Sequence, residues 1–191
     1  MKKRQAIIDS ATRLFGSIGF DATTTLELAN EAGVTEPLIY YHFKGKDELF
    51  TLSLESAFNE YISSLDDLPK YTSTEFQKIA NIIDLHFQIV DDLPDKMRLI
   101  VSACPAKLYD PEGICLKNIK KARKSVMDYI CCCLNAGIKN EEFHKVPVSA
   151  ITNVLVALLN GLVRQRVYQS GESKGIKDAA IDFCQRSLTD G

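Results

Sequence analysis

A chain of 191 residues, 46% of them hydrophobic and none tryptophan, has apolar surface enough for one domain or for a small domain joined to a larger one. Its formal charge of −2 excludes a bulk basic footprint, and residues 1–50 repeat that balance with six Lys/Arg against seven Asp/Glu. Affinity for DNA would therefore need positive charge gathered on one face, helped by helix N-termini.

Residues 2–18 read as the first helix. Ile7, Ala11, Leu14, Phe15 and Ile18 form one apolar stripe, and Gly19 stops it. Lys2, Lys3 and Arg4 make a basic arm, either a solvated terminus or an arm against DNA phosphates. Thr24 and Glu27 have capping-box spacing, so Thr24 starts a second helix that buries Leu28, Ala29 and Ala32. Gly33 ends it. Thr35 is expected to cap a third helix, with Pro37 tolerated in its first turn. Helix, glycine turn and helix make a helix-turn-helix, whose second helix enters a DNA major groove.

On that second helix, Ile39 and Phe43 define the inside. At about 100° per residue, Pro37 and Tyr41 face outward, flanked by Leu38 on one side and by Tyr40 and Lys44 on the other. Pro37, Leu38 and Tyr41 suit thymine methyls, and Glu36 could accept from a cytosine amine. Packing against the first helices is the competing role for Tyr40 and Tyr41.

Ala22 through Phe50 resembles the DNA-binding domain of the TetR family of bacterial transcriptional repressors. Leu28-Ala29, Ala32-Gly33-Val34-Thr35, Tyr40-Tyr41-His42-Phe43 and Lys46-Asp47-Glu48-Leu49-Phe50 carry the likeness. The resemblance implies that Thr24, Tyr40, His42 and Lys46 bind backbone phosphate. Thr35 and Lys44 are further DNA-binding candidates on the reading unit. The family often has Lys or Arg where this chain has Glu36, and Gly where it has Pro37, so the operator sequence stays open.

Gly45 is an acceptable N-cap for a fourth helix to about Leu65, with Asp47 and Glu48 suiting its first turn. This helix joins the reading unit to the rest of the chain and is the expected lever between them. A fifth helix, about Thr74 to Asp92, is apolar over much of its girth, and His86 is either a satisfied core histidine or a ligand contact. Pro94 opens a sixth helix to about Cys104, before a loop marked by Pro105, Pro111 and Gly113. A seventh, about Ile114 to Gly137, is basic in its first half, as a solvated face or a second DNA patch. In its second half, Cys131 to Cys133 read as small apolar fillers or as a redox site. An eighth, about Ser149 to Ser170, is apolar on nearly every side between Ile151 and Val163, so it needs two buried faces, and a ninth covers about Ile176 to Leu188. Pairing these two helices about a two-fold axis would make a four-helix dimer interface, with Val156, Leu159, Gly161, Val163 and Phe183 as candidates.

The six cysteines contain no paired C-x-x-C motifs, so no metal is expected. No apolar signal segment follows the basic start, and the longest apolar run, Val154 to Leu159, is six residues against the roughly 20 that span a bilayer. A cytoplasmic protein without membrane partners is expected. No phosphate loop, nucleophile elbow or H-E-x-x-H motif points to an enzyme.

The expected fold is all-α: a three-helix DNA-binding domain over residues 1–46 and a helical ligand-binding and dimerisation domain over 47–191. The expected function is ligand-responsive repression by a homodimer on a palindromic double-stranded operator. The alternative is a dimeric helical interaction module with little DNA affinity. No cofactor is expected beyond an unidentified small-molecule inducer, for which Phe58, Tyr61, His86, Phe87, Val90, Met97, Met127 and Asn160 are lining candidates, each with ordinary core as its other reading.

Overall fold

The computed structural model describes residues 2–102, 105, 114–169 and 175–189. Among these the chain forms helices and no strand: α1 Lys2–Ser17, α2 Thr25–Glu31, α3 Glu36–His42, α4 Lys46–Asp66, α5 Glu75–Asp92, α6 Pro94–Val101, α7 Ile114–Lys139, α8 Val148–Tyr168 and α9 Ile176–Leu188. The expected helix end near Cys104, the loop marks Pro111 and Gly113, and Ser170 lie outside the described residues.

The chain packs as two compact units. The first is Met1–Tyr61 with Leu93–Lys120, the second Ile62–Asp92 with Lys121–Gly191.

In the first unit, the stripe Ile7, Ala11 and Phe15 on α1 is buried. Phe15 meets Phe20 and Phe50 at ring-centroid separations of 5.7 and 5.3 Å, and Phe20 meets Phe50 edge-on at 5.3 Å. α6 lies close on α1 because residue 16 is glycine. A Cβ there would meet the Asp95 carbonyl oxygen at 3.0 Å and the Leu99 nitrogen at 3.2 Å. Arg13 joins this corner by pairing with Glu31 of α2 and, at 3.6 Å, with Asp95 of α6. These charges are half exposed, so geometry rather than energy is their contribution.

In the second unit, α5 packs against α8 and α9. It buries Ile79, Ile82, Ile83, Ile89 and Val90. Its first backbone N–H groups, those of Glu75 and Phe76, both donate at 2.7 Å to the Glu142 carboxylate, a cap supplied from a distant loop. α7 runs to Lys139, two residues past the glycine expected to end it. Gly137 serves packing instead: the Phe143 ring sits where its side chain would be, 2.1 Å from a built Cβ.

The expected dimer residues divide on α8. Val156, Leu159 and Val163 are buried within the protomer, so they are corrected from dimer candidates to the protomer's own core. The outward face presents Val154, 54% exposed, with Ala157, Asn160, Gly161 and Arg164, and α9 adds Phe183 at 59%. By length and composition α8 is apolar enough to cross a bilayer, although no single run predicts it. It carries Arg164 and Arg166, and Arg166 pairs with Asp91 of α5 at 2.8 Å.

Cys133 and Cys184 are buried, and desolvation pushes their thiols up to about 12 and about 11. Cys132 is exposed and Cys131 half-buried. Among the described residues no cluster of His, Cys, Asp and Glu could hold a metal ion.

His86 is buried on α5, with Nδ1 2.7 Å from the Ile82 carbonyl oxygen. Burial holds its imidazole below the ordinary 6.5, against a smaller upward pull from that carbonyl. As pH falls below that value the unfolded chain takes up a proton that the folded chain refuses, so stability drops with falling pH. The urea midpoint should decline from about pH 7.5 to about pH 5.5, and His86→Gln should flatten that decline. Parallel curves for parent and variant would remove His86 as its source.

Candidate nucleic-acid interface

The reading unit begins with a reciprocal cap. Thr24 has extended backbone and its hydroxyl accepts from the Glu27 N–H at 3.2 Å, while its own N–H and hydroxyl donate to Glu27 Oε2 at 2.8 and 2.9 Å. These bonds, the backbone one first, hold the Glu27 carboxyl below its ordinary value. α2 then buries Leu28 and Ala29, and Gly33 turns the chain with φ of 63°. That left-handed angle favours glycine.

Thr35 occupies the cap position of α3, but its side chain makes no cap bond. The reason is local. Pro37, two residues on, has no N–H to give, and the Leu38 N–H already donates to the Thr35 carbonyl oxygen at 3.0 Å. α3 has the orientation its periodicity implies: Ile39 and the following Phe43 are buried, Pro37 and Tyr41 are exposed, and Leu38 is half-buried.

Two contacts that spacing does not show join α2 to α3. The Thr25 hydroxyl donates to the Glu36 carboxylate and lies 3.3 Å from the Tyr40 hydroxyl. Glu36 therefore has a partner within the protein, which weighs against its expected cytosine contact. Tyr40 is exposed yet anchored through Thr25. His42 stacks edge-on between Tyr41 and Phe43, at 5.0 and 6.1 Å. Arg4, from the basic arm, lies 5.1 Å over the Phe43 ring.

Thr24, Tyr40, Lys44 and Lys46 line one cleft of about 710 Å³, together with Asp21, Thr23, Thr25, Gly45, Asp47 and Glu48. Pro37, Leu38 and Tyr41 are not part of that lining. Lys46 folds inward. Its ammonium donates at 2.9 Å to the carbonyl oxygens of Phe20 and Thr23 and lies 4.3 Å over the Phe20 ring. Lys44 is exposed, and its N–H donates to Glu48 Oε2 at 2.6 Å.

The acid excess of residues 1–50 also becomes intelligible. Asp9, Glu27, Glu31, Glu36 and Glu48 each accept from a neighbouring donor, so at least five of the seven carboxylates are already engaged. The inducer candidates fall on both units. Phe58, Tyr61 and Met97 are buried in the first. In the second, His86 and Val90 are buried, Phe87 and Met127 half-buried, and Asn160 exposed. Two residues of the reading unit escaped sequence reasoning, Thr25 and Leu26. Projecting α2 as α3 was projected would have set Leu26 opposite Leu28, on the outer face.

Fold and site together define an all-helical protein with an N-terminal helix-turn-helix. Residues 7–51 match the family model described as bacterial regulatory proteins, tetR family. The likeness to the tetR family thus lies in the N-terminal domain. The HTH-type transcriptional regulator BetI of Brucella canis is 33% identical over 85 residues, covering 44% of this chain and 43% of BetI. The chain thus matches less than half the length of the curated relatives. Likeness to solved structures is broader. The TetR family transcriptional regulator PfmR from Thermus thermophilus aligns with a TM-score of 0.78 at 20% identity, covering 97% of this chain and 96% of PfmR. The transcriptional regulator FadR from Bacillus subtilis, solved in complex with stearoyl-CoA, aligns with a TM-score of 0.72 at 17% identity, covering 96% of this chain and 98% of FadR. At those identities the likeness is one of fold.

Because Lys46 ties the start of α4 to the segment entering α2, Lys46→Ala should cost about 1.5–3 kcal/mol of stability, the range of hydrogen bonds from a charged donor. Urea denaturation measures this, and an unchanged midpoint would mean that the two carbonyl bonds contribute nothing.

Proposed function

We propose that this chain is a transcriptional repressor whose homodimer binds a palindromic operator and is released by a small-molecule inducer. The observation that carries the reading is the capped α2, the Gly33 turn and the outward-facing Pro37 and Tyr41 of α3, in a segment that matches the tetR family. Residues 1–46 act as the DNA-binding domain and 47–191 as the ligand-binding and dimerisation domain, in the cytoplasm. Thr24, Thr35, Tyr40, His42, Lys44 and Lys46 serve the phosphate backbone, and Pro37, Leu38 and Tyr41 face the bases. A dimer would draw on the exposed face of α8 and α9, with Val154, Gly161 and Phe183 at its centre. A Cβ at Gly161 would meet nothing within 4 Å in the protomer, which leaves that spot open to a second chain.

FadR was solved with stearoyl-CoA, which supports a small-molecule effector for this chain without naming it. The inducer acts by preferring a packing of the helical domain in which α4 no longer sets the spacing of the reading helices, about 34 Å in a dimer on adjacent major grooves. Its effect is bounded by its differential affinity for the two states, typically about 1–3 kcal/mol.

The acidic balance of residues 1–50 favours one rival, a dimeric helical module with little DNA affinity. Duplexes from the DNA flanking the chain's own gene separate the two by fluorescence anisotropy. The expected result is two chains per duplex and a logarithm of affinity that falls linearly with the logarithm of salt between about 50 and 200 mM. Absence of salt-dependent binding to any such duplex would favour the rival.

A further inference from the structure

The outward edge of α2 and α3 has a composition that narrows what it can read. Leu26 is 57% exposed and Tyr41 80%, beside exposed Pro37 and half-buried Leu38. The hydrogen bond between Thr25 and Glu36 ties the first turn of α2, which carries Leu26, to the first turn of α3, which carries Pro37. Pro37 and Tyr41 share the side of α3 opposite buried Ile39. A leucine, a proline and a tyrosine on two tied helices therefore face water, where burial in the protomer does not account for them.

In the major groove guanine is read by bidentate Arg or Lys, adenine by Asn or Gln, and cytosine by an acidic acceptor. Residues 25–26 and 36–41 include no Arg, Lys, Asn or Gln. Lys44 lies instead in the cleft with Thr24 and Tyr40. Glu36, the one acidic acceptor, has its carboxylate on the Thr25 hydroxyl. What remains, apart from the tyrosine hydroxyls, is apolar surface, and the apolar group that a base pair displays in the major groove is the thymine C5-methyl.

We propose that Leu26, Pro37 and Tyr41 form a methyl-reading surface, so that each operator half-site is specified by thymine C5-methyl groups rather than by guanine. This rests on the DNA-binding role proposed above. Leu26 is thereby a specificity residue contributed by α2, and Thr25 is a positioning residue that holds Glu36 and Tyr40 aside.

Uracil tests the idea, because it removes the methyl and leaves the hydrogen-bonding edge of thymine unchanged. The full-length chain is used to select duplexes from a random-sequence library, and each thymine of the winning site is then replaced by uracil. Affinity should fall about fourfold per contacted methyl, the worth of one buried carbon. Leu26→Ala and Tyr41→Ala should each abolish that sensitivity at one base step while keeping the parent's melting temperature and salt slope. A selected site bound equally well with uracil overturns the proposal but leaves DNA binding intact. So does uracil sensitivity that is the same in parent and both variants, since the methyl would then act through DNA shape. A library with no enriched sequence overturns the DNA-binding role itself, and the methyl-reading surface with it.

Discussion

The reading unit depends on three phenylalanines held ring to ring. Phe15 comes from α1, Phe20 from the loop after it and Phe50 from α4, and their centroids lie 5.3–5.7 Å apart. Tilted and edge-on aromatic pairs of this kind are worth about 0.5–1.5 kcal/mol each beyond their buried area. Their larger consequence is positional, because three separate stretches of chain must meet for the cluster to form. Lys46 completes it by lying over Phe20 and donating to the carbonyls of Phe20 and Thr23. The chain entering α2 is thereby fixed. Gly19 turns it with φ of 85°, the Thr23 hydroxyl donates to the Gly19 carbonyl at 2.7 Å, and Thr24 caps the helix that follows.

From that foundation the outer edge follows. Leu28, Ala29 and Ile39 are buried, which leaves Leu26, Pro37 and Tyr41 no inward option. The carboxylates that would repel phosphate are largely drawn onto local donors. The inward fold of Lys46 changes the meaning of its likeness to a phosphate-binding position. In the free protein its charge organises the cleft beside Thr24 and Tyr40, so backbone binding there would act on a shape that already exists.

What the sequence disclosed was local. Thr24 and Glu27 lie three residues apart, Gly33 sits where only a left-handed turn continues, and Ile39 and Phe43 are four apart; each is a rule of helix geometry that neighbours did not override. Where the structure adds to or departs from that reading, the cause is tertiary or competitive. Thr35 lost its cap bond to a proline that has no N–H. Glu36 was drawn to Thr25, eleven residues earlier. The seventh helix runs past Gly137, its expected end, because that glycine is the seat of Phe143. Val156, Leu159 and Val163 belong to the apolar girth of α8, which periodicity could not divide between the protomer's own core and a partner. The effector candidates were the least legible, because a pocket lining and a packed core draw on the same residues. Likeness to solved proteins at 17–20% identity carries over backbone and not that lining.

The central claim is that the edge built on this aromatic foundation is the surface that meets DNA. Amide hydrogen exchange, recorded with and without a duplex selected by the chain itself, tests it most directly. Binding should slow exchange at residues 24–26 and 35–46, with α5 and α9 little changed. Protection that appears elsewhere, with those two segments exchanging as in the free protein, would contradict the account.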